Sequence, residues 1–190
     1  MKRFGLWFLM VASLMGAGLA QAAPLAISGA TATHEEAVNP VTESFDGNLA
    51  SSSRWSGMGD GVTATYQLQP GNTLQQVNIA WYDGHLRIFE FDLETSVDGA
   101  VWEPAFSGFS SGTTSQFEPY DISDRPALYV RIVGHGNDHA DPNRSQWTSV
   151  LEVVFDGIPT PPETGEVVEV PLNVLQELCN SLPLPPAPPQ

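Results

Sequence analysis

From Val62 to Phe155 the apolar residues recur at every second position, and that period excludes any helical architecture for the body of the chain. Val62, Ala64, Tyr66 and Leu68 alternate with polar residues, as do Val77, Ile79 and Trp81. Phe89, Phe91, Leu93 and Thr95 stand against Glu90, Asp92 and Glu94. Side chains of an extended strand point to opposite faces in turn, so each run is a half-buried strand of an antiparallel sheet. Asp60-Gly61, Pro70-Gly71, Asp83-Gly84 and Asp98-Gly99 supply turn signals between the runs. Many short strands separated by regular turns imply an all-β sandwich or barrel. A stretch that gathers hydrogen-bonding side chains lies between two further strands. Leu128, Val130 and Ile132 lead into His135, Asn137, Asp138, His139, Asn143 and Arg144, and the chain returns through Trp147 to Leu151, Val153 and Phe155. A polar loop on a rigid frame is a recognition surface.

The ends have a different character. Residues 1–22 are read as a secretory signal: Lys2 and Arg3, an apolar run from Phe4 to Leu19, then Ala20-Gln21-Ala22 as a small-residue cleavage site. Ser13, Gly16 and Gly18 interrupt the run, and it is short for a membrane-spanning helix. Secretion, or retention in the periplasm or cell envelope, is expected. Residues 23–156 suffice for one domain with a sizeable core. Residues 157–190 form an acidic, Pro-rich tail or linker, in which Leu172 to Leu182 is one short helical candidate.

Beyond the signal, five arginines face 22 acidic residues, a net charge of −17. That balance opposes attraction to nucleic acid or anionic lipid, and no membrane insertion is expected. The single Cys179 excludes an internal disulfide, leaving the core or a metal to hold the fold, and a monomer is expected.

Six phrases in order resemble the discoidin, or coagulation factor 5/8 type C, domain, which overlaps with family 32 carbohydrate-binding modules. They are SFDGNLASSSRWSG (Ser44 to Gly57), VNIAWYDGHLRIFEFDLETS (Val77 to Ser96), SVDGAVW (Ser96 to Trp102), SSGTTSQFEPYDI (Ser110 to Ile122), ALYVRIVGHGN (Ala127 to Asn137) and SQWTSVLEV (Ser145 to Val153). The GHGN and Trp-x-Ser wording is especially similar to bacterial modules attached to alginate lyases. The resemblance implies a jelly-roll β-sandwich of about eight antiparallel strands, glycan recognition by loops at one end, and a structural calcium.

With that resemblance, a tight turn at Asp46, Gly47 and Asn48, together with Ser51 and Glu152, forms a candidate calcium site of hard oxygen donors. Ser51, Ser52 and Ser53 leave the register of one ligand open. His85, Arg87, His135, Asn137 and Trp147 are the candidate ligand-binding residues: Arg, Asn and His address hydroxyls in fixed directions, and an indole covers a pyranose face. Arg87 could instead pair with Glu90 or Asp92, and Trp147 could lie buried beneath the loop. Trp55, Trp81 and Trp102 are expected in the core. A zinc site at His135 and His139 is disfavoured because Gly134, Gly136 and Pro142 oppose the helix that His-x-x-x-His needs. The formal GxSxG at Gly108 to Gly112 lacks the strand-turn-helix context of a hydrolase. No catalytic residue is assigned. The expected function is non-catalytic binding of a polysaccharide or glycan; the alternatives are a surface adhesion or protein-interaction domain and an accessory part of a polysaccharide lyase.

Overall fold

The computed structural model describes residues 22–159. The signal and tail readings at residues 1–21 and 160–190, with Cys179, lie outside the described residues.

Ten strand segments form two antiparallel sheets packed face to face as a jelly-roll sandwich. They are β1 (Ala23–Pro24), β2 (Ile27–Ala32), β3 (Trp55–Met58), β4 (Val62–Leu68), β5 (Thr73–Trp81), β6 (Phe89–Ser96), β7 (Glu103–Phe109), β8 (Phe117–Pro126), β9 (Tyr129–Asn137) and β10 (Trp147–Ile158). One sheet has the order β1-β10-β5-β8, with β3 also paired to β10; the other has the order β2-β4-β9-β6-β7. The two shortest segments, β1 and β3, both attach to β10, so the eight longer strands constitute the sandwich. One-turn helices at Val41–Ser44 and Pro142–Ser145 lie in the connections.

Alternation produces the core. Along β4, Val62, Ala64, Tyr66 and Leu68 point inward, and along β6 Phe89, Phe91 and Leu93 do so. Trp81 stacks on Phe89 at 4.9 Å and packs against Phe91 at 4.7 Å. Its indole donates to the Tyr120 hydroxyl (2.9 Å), so the buried N–H keeps a partner. Truncating such a ring costs about 3–5 kcal/mol through lost burial and the cavity left behind.

Trp55 and Trp81 are fully buried, as expected, but Trp102 is not in the core. It lies half-buried under the Arg131 guanidinium, 4.2 Å from the ring centroid. Trp102 precedes β7, on the outer side of the sheet, where an apolar ring is covered by a cation instead of by the opposite sheet.

The turn signals mark real turns, with one displacement. Gly61, Gly71 and Gly99 adopt positive φ, but at Asp83-Gly84 the left-handed residue is Asp83 (φ 52°). Gly84 is needed for space: a Cβ there would lie 2.4 Å from the Thr114 carbonyl oxygen.

Candidate functional site: an arginine-lined pocket at the loop end

At one end of the sandwich, β3 and β10 pair so that Ser56 faces Ser149. Their hydroxyls hydrogen-bond at 3.0 Å, and both groups are buried. Period two then decides which neighbours share this outer surface: Thr148 and Val150 turn inward, leaving Trp147 beside Ser149. The same rule applies where β5 ends, with Trp81 in the core and Tyr82 outside it; the Tyr82 amide donates to the Ser149 carbonyl (3.1 Å). Arg54, directly before buried Trp55, also emerges there.

Glu36, Arg54, Ser56, Tyr82, Arg87, Arg144, Trp147 and Ser149 together line a pocket of about 370 Å³. Three of the chain's five arginines beyond the signal therefore meet at one place on a strongly acidic protein. The guanidinium groups of Arg54 and Arg87 lie 4.3 and 5.1 Å from the Tyr82 ring centroid. Arg87 pairs with Asp83 (3.1 Å) and not with Glu90 or Asp92. Arg144 stands 4.0 Å from Asp141. The half-buried Trp147 indole donates to the Asn143 carbonyl (3.1 Å) and meets the His34 ring edge-on at 6.0 Å.

Of the five expected ligand residues, Arg87 and Trp147 share this pocket, whereas His85, His135 and Asn137 do not line it. His85 is exposed and bonds the Ser115 hydroxyl at 3.0 Å. Asn137 ties the loop together: its amide donates to the carbonyls of Arg144 (3.0 Å) and Trp147 (2.7 Å) and accepts from His139 N–H (3.0 Å). It thereby positions two pocket residues. His135 belongs to β9, not to the loop, because the strand continues to Asn137. Gly134 and Gly136 take the inward places on either side, so the imidazole points out between Asp60 (2.6 Å) and Asp92 (3.0 Å). Only an imidazolium donates from both nitrogens. The Asp60 bond is the main cause holding the His135 pKa above its ordinary value, against burial and with help from Asp92.

His135 and Asn137 instead line a second, largely apolar cavity of about 560 Å³ beside Ile88, Phe109 and Asp138. Its lining sets Glu90 and Asp138 against His135, whose imidazole is already held by Asp60 and Asp92, so the balance of charge disfavours a carboxylate or a phosphate.

The pocket residues missed by sequence reasoning are Glu36, Arg54, Ser56, Tyr82 and Ser149, while Arg144 was read only as part of the polar loop. Two of the missed residues, Arg54 and Tyr82, had signals in the sequence, in the phrases Ser-Arg-Trp and Trp-Tyr-Asp. Each names an outward residue next to a core tryptophan.

At the other candidate site, the Gly47 amide donates to Glu152 Oε1 (3.2 Å), while Glu152 Oε2 is buried and has no hydrogen-bond partner. Burial is the main cause raising the Glu152 pKa to about 7; the Gly47 bond opposes it and the nearby Asp46 charge adds to it. Asp46 accepts from the Asn48 amide (2.8 Å) and from the Ser53 hydroxyl (2.7 Å). Ser51 is exposed, its carbonyl accepting from Arg54 (2.6 Å), so Ser53 is the serine beside Asp46. Among the described residues no three His, Asp or Glu side chains converge as a metal cluster, so a cation here would need backbone carbonyls as well.

No family profile and no curated protein sequence matches the chain. Solved structures do. The CBM32 of AlyQ in complex with 4,5-unsaturated mannuronic acid is 34% identical with a TM-score of 0.65, covering 70% of this chain and 97% of that one. Truncated AlyQ with CBM32 and alginate lyase domains is 32% identical with a TM-score of 0.67, covering 77% of this chain. This chain spans only 36% of that two-domain protein. A pectin-binding carbohydrate-binding module, 19% identical with a TM-score of 0.62 over 69% of this chain and 91% of that one, shares the fold. With one-third identity to an isolated CBM32 matched over nearly its whole length, the chain belongs to the family 32, discoidin-like carbohydrate-binding modules.

Proposed function

We propose that this protein is an exported, non-catalytic module that binds an acidic polysaccharide or its fragments in the pocket between Tyr82, Arg87 and Trp147. The observation that carries the reading is the meeting of Arg54, Arg87 and Arg144 in one pocket of a chain whose net charge beyond the signal is −17. Guanidinium groups offer planar pairs of donors to a carboxylate, and a ring beside them covers the apolar face of a pyranose. The AlyQ module, solved with an unsaturated mannuronic acid, supports a uronate as the sugar class. A 370 Å³ pocket holds one or two sugar residues, and so shallow a site buries few ligand atoms and binds weakly.

Calcium is proposed as a structural ion at the Asp46 turn. The buried, unpartnered Glu152 Oε2 is the kind of oxygen a cation satisfies, and a bound ion would keep the carboxylate charged. Glu152 and the carbonyls of the Asp46–Asn48 turn would hold it, with Asp46 beside it. It would supply cohesion between the terminal strand and the turn and take no part in sugar recognition.

The test is affinity electrophoresis of the purified protein in gels containing alginate, polygalacturonate or neutral galactomannan. Retardation by an acidic gel, lost in Trp147→Ala, supports the reading. Equal mobility in all gels, with or without calcium, contradicts it.

A further inference from the structure

We propose that Arg54, and not Arg87, is the residue that makes the pocket select an acidic sugar over a neutral one. The inference rests on reading this pocket as the glycan site. The arginines lining it differ in how far their charge is already answered. Arg87 is held by Asp83 at 3.1 Å, with its side chain only 12% exposed, so its charge is largely cancelled and its remaining N–H groups are free to address hydroxyls. Asp83 achieves this from a left-handed backbone (φ 52°), a conformation that costs free energy in a non-glycine residue and is kept where the surroundings enforce it. Arg144 is 4.0 Å from Asp141 and its side chain is 63% exposed, so solvent and salt screen what remains of its charge.

Arg54 has neither restraint. Among the described residues it pairs with no carboxylate. Its guanidinium donates to neutral oxygens, the Ser56 hydroxyl (3.1 Å) and the Ser51 carbonyl (2.6 Å), and rests 4.3 Å from the Tyr82 centroid. These contacts fix the plane of the group without neutralising it. A half-buried, oriented and uncompensated guanidinium is the partner a ligand carboxylate gains most from. Glu36 lines the same pocket and repels a carboxylate placed beside it, which favours seating the acid group at the arginines.

The experiment is calorimetric titration of the purified protein with oligomannuronate and with its carboxyl-reduced counterpart, a neutral oligomannose of the same linkage. The quantity read is the ratio of the two affinities. Wild type is expected to favour the acid at least tenfold. Arg54→Gln is expected to bring the ratio to within about twofold of unity, whereas Arg87→Gln lowers both affinities by similar factors and keeps the ratio. Arg54→Met, which retains the stem over Tyr82, repeats the test should the Gln variant fold poorly. A ratio that survives in both Arg54 variants, or that collapses in Arg87→Gln, overturns the proposal. Wild-type binding of both probes with equal affinity overturns it while leaving the glycan reading intact. Wild-type binding of neither probe overturns both.

Discussion

Trp147 and His135 show how one residue position divides recognition from cohesion. Trp147 opens β10 on the outer face with its indole held by Asn143, so it borders the pocket without belonging to the core. Trp147→Ala is expected to weaken sugar binding about tenfold, the worth of one ring-stacking contact, while the melting temperature falls little; calorimetry and thermal unfolding read the two effects separately. His135 instead bridges β9, β6 and the turn before β4 through Asp92 and Asp60. Its folded-state pKa is raised, so its stabilisation is fully present below the ordinary histidine value and is lost as pH rises through the raised folded value. Thermal melts between pH 5 and pH 9 are therefore expected to show a stability component that declines with rising pH and is absent in His135→Asn. Asp92 bounds this on the acid side. Burial raises its pKa, but the Ser107 and His135 bonds and the imidazolium charge outweigh that and lower it, so its contribution is lost only as pH falls through that depressed value.

At the scale of elements, the stretch from β9 to β10 brings Arg144, Trp147 and Ser149 to the pocket. Gly134 lies inward where a Cβ would come 2.1 Å from Thr148 Oγ1, and Gly136 combines φ 96° with a Cβ position 2.3 Å from the Ser145 carbonyl oxygen. The two strands can approach closely enough to hold a short loop only because both residues lack side chains. Gly136→Ala is expected to destabilise the protein by about 2–3 kcal/mol and to weaken sugar binding as well, since it moves the segment bearing Arg144 and Trp147. Asn137→Ala should weaken binding through the same segment with a smaller loss of stability; denaturant titration beside calorimetry measures both. The strands and most turns were legible in the sequence because period two and turn chemistry are local. The division of the polar stretch was not: whether β9 stops before or after His135 depends on its pairing with β4 and β6, which local sequence does not encode. For the same reason Arg87 pairs with Asp83 across a tight turn, a partner that was not among the alternatives Glu90 and Asp92 on the next strand.

Across the whole molecule, the charge distribution connects fold to function. An acidic body favours solubility and repels polyanions in general, while in the proposed reading the arginine-lined pocket admits a carboxylate where ring and donors also fit. Bulk charge alone therefore argued against a polyanion, and the convergence of Arg54, Arg87 and Arg144 from three separate segments became visible only in three dimensions. Cohesion without a disulfide among the described residues falls to the aromatic core and, in the proposed calcium-bound state, to the Glu152 clip. Adding calcium is expected to raise the melting temperature by several degrees, and Glu152→Gln to abolish that rise while leaving the metal-free protein at least as stable at pH 8, where the wild-type carboxylate is charged and buried. No calcium-dependent shift at millimolar ion would refute the clip.

Occupancy of the arginine pocket by an acidic sugar is tested by heteronuclear NMR of the purified protein titrated with oligomannuronate. Shifts are expected to concentrate at Arg54, Tyr82, Arg87, Arg144 and Trp147, in fast exchange and weakened by added salt. Shifts confined to the cavity of Ile88 and Phe109, or none at millimolar ligand, would contradict it.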